Sequence, residues 1–69
     1  MTENHDRIMQ MLAELGSAQL ALKTMNEELL HAVVAGTADV GALRERAERK
    51  HEEVMQMTRE LLEALSGSA

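Results

Sequence analysis

Apolar residues recur along the first half of the chain at alternating spacings of three and four, which is the pattern of one face of a long α-helix. This stripe consists of Ile8, Met11, Leu15, Ala18, Leu22, Met25, Leu29 and Ala32. The phase is kept over more than three heptads, and the chain contains no proline that would interrupt a helix. The pattern predicts one long helix from about Glu3 to Ala35.

A break follows the first stripe at Gly36-Thr37-Ala38-Asp39. Gly36 suits the left-handed position that ends many helices, and Thr37 or Asp39 can cap the next helix. The second stripe consists of Val40, Leu43, Ala47, Val54, Met57, Leu61 and Ala64 or Leu65. We predict a single domain over 1–69, with helix 1 at about 3–35, a turn at 36–39, helix 2 at about 40–65 and a flexible tail at 66–69.

The weakest point of the predicted first helix is Gly16-Ser17. Glycine costs about 1 kcal/mol relative to alanine inside a helix, and a Gly/Ser pair is a known cause of kinks. Because the apolar residues keep one phase on both sides of Gly16, we favour a continuous, bent helix. A separate short helix that ends at Leu15 is the alternative.

The first helix carries more apolar surface than one partner helix covers. Outside its stripe lie Met9, Leu12, Leu20, Leu30, Val33 and Val34. We therefore expect an all-α fold, an antiparallel helical hairpin that dimerises into a four-helix bundle or coiled-coil-like assembly, or that docks on another helical protein. The predicted core and interface residues are Ile8, Met11, Leu15, Leu22, Met25, Leu29, Val33, Leu43, Val54, Met57, Leu61 and Leu65.

Composition argues against several classes of function. Twelve acidic residues against seven basic ones leave a net charge of −5, which repels nucleic-acid phosphates, and there is no Phe, Tyr or Trp ring on which a base would stack. No apolar run approaches the length of about 20 residues that crosses a bilayer. The N-terminus lacks the features of a secretory signal. We predict a cytoplasmic protein that binds neither nucleic acid nor membranes.

Catalysis is not predicted either. The chain has no cysteine and no glycine-rich phosphate loop, and a chain of 69 residues is too short to enclose a substrate. We therefore predict a protein that is not an enzyme and that needs no cofactor.

Two Glu-x-x-His pairs, Glu28 with His31 and Glu48 with His51, are candidate metal ligands. This spacing places a carboxylate and an imidazole on one helix face, and in these four residues the chain resembles ferritin-like bundles with di-metal centres. The resemblance implies a metal-binding bundle. However, the pairs flank different sides of their stripes, and the second lies among the cations Arg44, Arg46, Arg49 and Lys50. We expect solvated residues there and no metal site.

The run from Arg44 to Glu53 interleaves basic and acidic residues. The pairs four residues apart are Arg44 with Glu48, Glu45 with Arg49, and Arg49 with Glu53, and such pairs stabilise an exposed helix face. We therefore predict a solvated face with ion pairs, not a basic patch for nucleic acid.

Lys50 falls on the second apolar stripe, between Ala47 and Val54. A charged residue at a core position often selects register or oligomeric state at a cost in stability. We expect a carboxylate near its ammonium group, from Glu27 or Glu28 at the facing level of helix 1 or from a second copy. The alternative is that Lys50 extends outward to solvent.

The step Met-Gln-Met occurs twice, at 9–11 and at 55–57. Methionine fills irregular gaps in cores, and it also forms surfaces that accept varied partner helices. We expect core filling, with a groove for a partner as the alternative.

These features predict a small, non-catalytic interaction module, namely an adaptor, a co-chaperone or a regulator that presents or sequesters a helix. In size and layout the chain is similar to the small hairpin co-chaperones of type III secretion and to the plasmid copy-number RNA-binding hairpins. The acidic net charge disagrees with RNA binding. A metal-binding ferritin-like bundle and a purely structural homodimer are the alternative functions.

Overall fold

The chain folds into two α-helices that pack against each other as an antiparallel hairpin. The computed structural model describes residues 2–37 and 39–68, so Met1, Ala38 and Ala69 lie outside the description. Helix α1 spans Thr2–Ala35 and helix α2 spans Val40–Ser68, with no strand among the described residues. The prediction of an all-α helical hairpin is confirmed.

Gly36 ends α1 in the left-handed conformation, with a φ of 67°. Its N–H donates to the carbonyl of Val33 at 3.3 Å, and the N–H of Thr37 donates to the carbonyl of Ala32 at 3.1 Å. These two hydrogen bonds define a Schellman motif, which satisfies carbonyl groups that the helix end leaves free. Helix α1 therefore ends before Gly36, as the sequence predicts.

Asp39 stands at the N-cap position of α2. Its carbonyl accepts a hydrogen bond of 3.1 Å from the N–H of Leu43, the first bond of the new helix. Of the two residues that the sequence offers as a cap, Thr37 belongs to the end of α1 and Asp39 to the start of α2.

Helix α1 runs through Gly16-Ser17 without a break, so the continuous helix is the correct alternative. A Cβ atom built at Gly16 would meet nothing within 4 Å. Within the hairpin, the glycine therefore does not mark a close approach of α2.

Helix α2 continues to Ser68, past the predicted end at residue 65. Residues 66–68, which the sequence predicts as a tail, are thus helical, and Ala69 lies outside the described residues. The physical reason is that Gly67 keeps a negative φ, unlike Gly36, so no left-handed residue stops the helix there.

The core is a thin seam between the two helices. Its buried residues are Leu15, Ala18, Ala32, Ala47, Val54 and Leu61, each 6–8% exposed. Ile8, Met11, Leu22 and Met57 pack against the cluster formed by Leu15, Ala18, Val54 and Leu61. Met25, Leu29 and Leu43 are half-buried. No described side chain is fully buried, because each helix has only one neighbour.

The hairpin is a rod of 52 × 14 × 12 Å with a radius of gyration of 15.8 Å. A compact domain of this length has a radius of gyration of about 11 Å. The accessible surface is 5357 Å², whereas a compact monomer of this mass exposes roughly 4,300 Å². Neither helix, over its described residues, has a stretch long and apolar enough to cross a bilayer.

Candidate interaction face

Large apolar side chains remain on the surface of both helices. They are Met9, Leu12, Leu20, Leu30, Val33 and Val34 in α1, and Met55, Leu62 and Leu65 in α2, with exposed fractions from 46% to 80%. Val33 and Leu65 are predicted core or interface residues that the hairpin leaves exposed. The hairpin alone thus does not bury the apolar surface of its helices.

Heptad letters show on which side of the hairpin each residue lies. In α1, Leu15 and Leu22 occupy position a and Ala18 occupies position d, and in α2 Val54 occupies a and Met57 occupies d. The core seam is therefore formed by positions a and d of both helices. Positions b and e lie beside a, and positions c and g lie beside d.

The two grooves of the hairpin show that position e of α1 and position e of α2 lie on the same side. Asn26, Arg44 and His51, all at e, line one groove together. Ser17 at c and Glu53 at g line a groove with Lys50 on the opposite side. The b and e positions of the two helices therefore form a single surface.

Most of the exposed apolar side chains belong to this surface. Leu12, Val33 and Leu65 occupy e, and Met9, Leu30, Met55 and Leu62 occupy b. We call these seven residues the apolar face. Leu20 and Val34 occupy the neighbouring position f of α1 and lie beside the face.

The apolar face has two apolar ends and a polar middle. Met9, Leu12, Leu62 and Leu65 lie near the open end of the hairpin, where Asn4 and Gly67 line one groove. Met55 lies further along, at the level of Gly16. Leu30 and Val33 lie near the turn. The middle b and e positions are Gln19, Lys23, Asn26, Arg44, Glu48 and His51. The apolar residues of such a face supply contact area, and the polar residues in its middle can select the partner.

The opposite side of the hairpin is charged. Near the open end its groove is lined by Arg7, Glu60 and Glu63, among others. Further along, Glu14 and Glu53 line the groove beside Lys50. The two sides thus differ in chemistry, and among the described residues only the b and e side offers a large apolar surface.

Each Met-Gln-Met step divides its methionines between the core and the apolar face. Met11 and Met57 pack against the core cluster, whereas Met9 and Met55 are 53% and 48% exposed. Two residues turn the helix by about 200°, so the two methionines of a step point to different sides. Core filling therefore applies to the second methionine of each step, and the first belongs to the face.

The ammonium group of Lys50 pairs with a carboxylate of its own helix. Its Nζ lies 2.8 Å from Oε2 of Glu53, and its side chain is 24% exposed. Within the hairpin, the predicted partners Glu27 and Glu28 are wrong, because Lys50 shares its groove with Ala21, which lies about two helical turns farther from Gly36 than Glu28 does. A carboxylate from a second copy stays a prediction.

The predicted ion pairs of α2 form only in part. Arg44 Nε donates to Glu48 Oε1 at 3.0 Å, as expected for residues four apart. The predicted pairs of Arg49 with Glu45 and with Glu53 do not form among the described residues, since Glu53 accepts from Lys50 instead. The ion pairs of the run 44–53 thus join residues three or four apart within α2.

Replacing Lys50 with leucine is expected to raise the melting temperature by about 4–8 °C, the shift that about 1 kcal/mol produces in a domain of this size. Leucine would add apolar contact beside Ala18 and Met57, whereas a pair with a half-exposed Glu53 contributes at most about 1 kcal/mol. Thermal melts followed by circular dichroism at matched concentrations measure the shift. Arg49→Leu, at an exposed site, should bring no gain, and an unchanged or lower melting temperature for Lys50→Leu contradicts the prediction.

The four candidate metal ligands are all exposed and lie on two sides of the hairpin. Glu28 at g and His31 at c lie on the charged side, whereas Glu48 at b and His51 at e lie on the side of the apolar face. Glu48 accepts the hydrogen bond from Arg44. Over the part of the chain that is described, no three His, Asp or Glu residues are placed to hold a metal ion.

We expect purified protein to carry no stoichiometric iron, zinc or manganese, because the dispersed ligands cannot converge on one ion. Elemental analysis after purification without chelators measures this. Near-stoichiometric metal that is lost in the variant Glu48→Ala, His51→Ala would contradict the prediction.

Comparisons of the chain with protein-family models, with curated proteins and with solved structures found no match. The class of protein is therefore defined by the fold and the surface: a two-helix antiparallel hairpin with one unpartnered apolar face.

Proposed function

We propose that this chain is a non-catalytic interaction module that presents its apolar face to another α-helix. The observation that supports this most directly is the collection of large apolar side chains at b and e positions, opposite a charged side. Fully burying a leucine, valine or methionine side chain stabilises a complex by about 1.5–3 kcal/mol. Covering even part of the face would thus drive association.

The spacing of the face fits a helical partner. Along α1 the b and e positions recur every three and four residues, and the same holds along α2, so each helix offers a second seam beside its core seam. A helix laid along this seam contacts residues at the spacing typical of helix recognition. An adaptor, a co-chaperone and a regulator that sequesters a helix would all use the face in this way.

The proposal is tested by comparing three tagged chains in extracts of the native host. The face variant carries Leu12→Asp and Leu62→Asp. The control carries Thr24→Asp and Ala42→Asp, which add the same charge at exposed c positions outside the face. We expect the wild type and the control to elute in complexes on size exclusion, and the face variant to elute as a lone chain.

Either of two results would overturn the proposed function. One is a wild-type chain that elutes alone in the extract. The other is a face variant that remains in the same complexes as the wild type, because the association would then use a different surface.

A further inference from the structure

We propose that the apolar face is covered by a second copy of this chain, with both turns at the same end of the dimer. Helix α1 of each copy then packs over α2 of the other, around a two-fold axis parallel to the helices. The inference rests on the proposed function, since it names the partner of the same face.

The exposed area fits a partner of this size. The hairpin exposes 5357 Å², which exceeds the surface of a compact monomer of its mass by roughly 1,000 Å². A stable interface of standard size buries about 800 Å² on each partner. Covering one side of the rod with a second rod therefore removes about the excess that one hairpin leaves exposed.

The register of the hairpin shows which residues lie at the same height. Residues of the two helices that line one groove lie at similar heights: Arg7 with Ala64 near the open end, Ala21 with Lys50 in the middle, and Leu22 with His51 on the side of the apolar face. The same register makes four pairs of b positions level: Met9 with Leu62, Gly16 with Met55, Lys23 with Glu48, and Leu30 with Gly41. Within one hairpin, the members of each pair lie at opposite edges of the face.

A two-fold axis parallel to the helices brings these pairs together. It places α1 over the partner's α2 without changing the height of any residue, so each b residue of α1 meets its level b residue of the second copy. No sliding of one rod along the other is needed or permitted by this symmetry.

All four pairs are complementary in size or charge. Met9 meets Leu62, an apolar pair near the open end. Gly16 has open space where a Cβ would stand, and so does Gly41. Each glycine therefore makes room for a large side chain of the second copy, Gly16 for Met55 and Gly41 for Leu30. Between these layers, the cation Lys23 meets the anion Glu48.

The reversed dimer, with the turns at opposite ends and α1 over α1, lacks this complementarity. Because α1 lies over α1 and α2 over α2 in this dimer, Lys23 cannot meet Glu48 of the second copy. When the b positions of the two copies are aligned, Lys23 lies over Gly16 and Glu48 lies over Met55. Lys23 then has no carboxylate opposite it. Glu48 keeps its pair with Arg44 of its own helix but faces an apolar side chain, which is unfavourable for a partly desolvated group. The charged middle of the face therefore favours the dimer with both turns at one end.

Charge reversal tests both the partner and the orientation. In Lys23→Glu every dimer has two acid–acid pairs, and in Glu48→Lys it has two base–base pairs, so each variant alone should dimerise about tenfold more weakly at low salt. An equimolar mixture of the two variants restores an opposite-charge pair at both sites of a heterodimer. We expect the mixture to dimerise like the wild type, which forms a dimer of twice 7.6 kDa.

Sedimentation or light scattering over the micromolar range gives the masses, and circular dichroism confirms that the variants stay helical. Arg49→Glu makes the same change in charge at an exposed c position and should dimerise like the wild type. The proposed orientation is overturned if the single variants dimerise as tightly as the wild type, or if the mixture dimerises as weakly as the single variants. If the wild type is helical but monomeric, the proposal that a second copy covers the face is overturned. The experiment in host extracts then still tests the proposed function separately.

Discussion

Leu61→Ala is expected to destabilise the hairpin by about 2–5 kcal/mol, the cost of removing a buried leucine side chain and leaving a cavity. Leu61 is 6% exposed and belongs to the buried cluster with Leu15 and Val54. A chain this small has a total stability near the low end of the range for domains. The substitution should therefore leave much of the chain unfolded at 25 °C.

Urea unfolding followed by circular dichroism measures the change, with wild type and variant at one concentration. The matched control is Leu20→Ala, because Leu20 is 65% exposed and lies at position f, outside the core and the apolar face. The control should change stability by no more than about 0.5 kcal/mol. Equal effects of the two substitutions would show that Leu61 is not a core residue.

The helices could be predicted from the sequence because their determinants are local. The alternating stripe through Ile8 and Leu22 predicts α1, and its constant phase predicts that the helix continues through Gly16. Gly36 followed by Asp39 predicts where one helix stops and the next starts, since both positions use short-range backbone hydrogen bonds. The structure agrees with the sequence at each of these points except the far end of α2.

The register between the helices could not be predicted in the same way. A heptad stripe repeats, so sliding α2 along α1 by one or two turns keeps apolar residues opposite apolar residues. The facing level of Lys50 depends on the path of the chain between Gly36 and Val40, which periodicity does not describe. This is why Glu27 and Glu28 are not the partners of Lys50 within the hairpin, and Glu53, on the same helix, is the observed one.

The apolar face was predictable only in part. The excess apolar residues of α1, such as Leu12 and Leu30, are evident from their positions outside the stripe. That Met55 and Leu62 of α2 lie on the same side follows from how the two helices face each other across the turn. Sequence periodicity defines a face for each helix separately, and the hairpin combines the two faces into one surface.

Gly36→Ala is expected to destabilise the hairpin by about 1–2 kcal/mol, because the left-handed conformation is less favourable by roughly this much for an L-residue with a side chain. The φ of Gly36 is 67°, and a Cβ there would meet nothing within 4 Å. The cost therefore arises from the backbone alone. Relaxing that φ would break the hydrogen bonds from Gly36 and Thr37 that close α1.

The control for Gly36→Ala is Gly67→Ala, the same chemical change at a site with equal space, without a positive φ and on the charged side of the hairpin, outside the apolar face. Alanine is the better helix former by up to about 1 kcal/mol, so this variant should be as stable as the wild type or more stable. The melting temperature should then fall for Gly36→Ala, by about 4–8 °C for each kcal/mol, and should stay the same or rise for the control. A Gly36→Ala variant that melts at or above the wild type would show that the turn does not depend on the left-handed residue, because the space around both glycines is the same and only the backbone conformation differs.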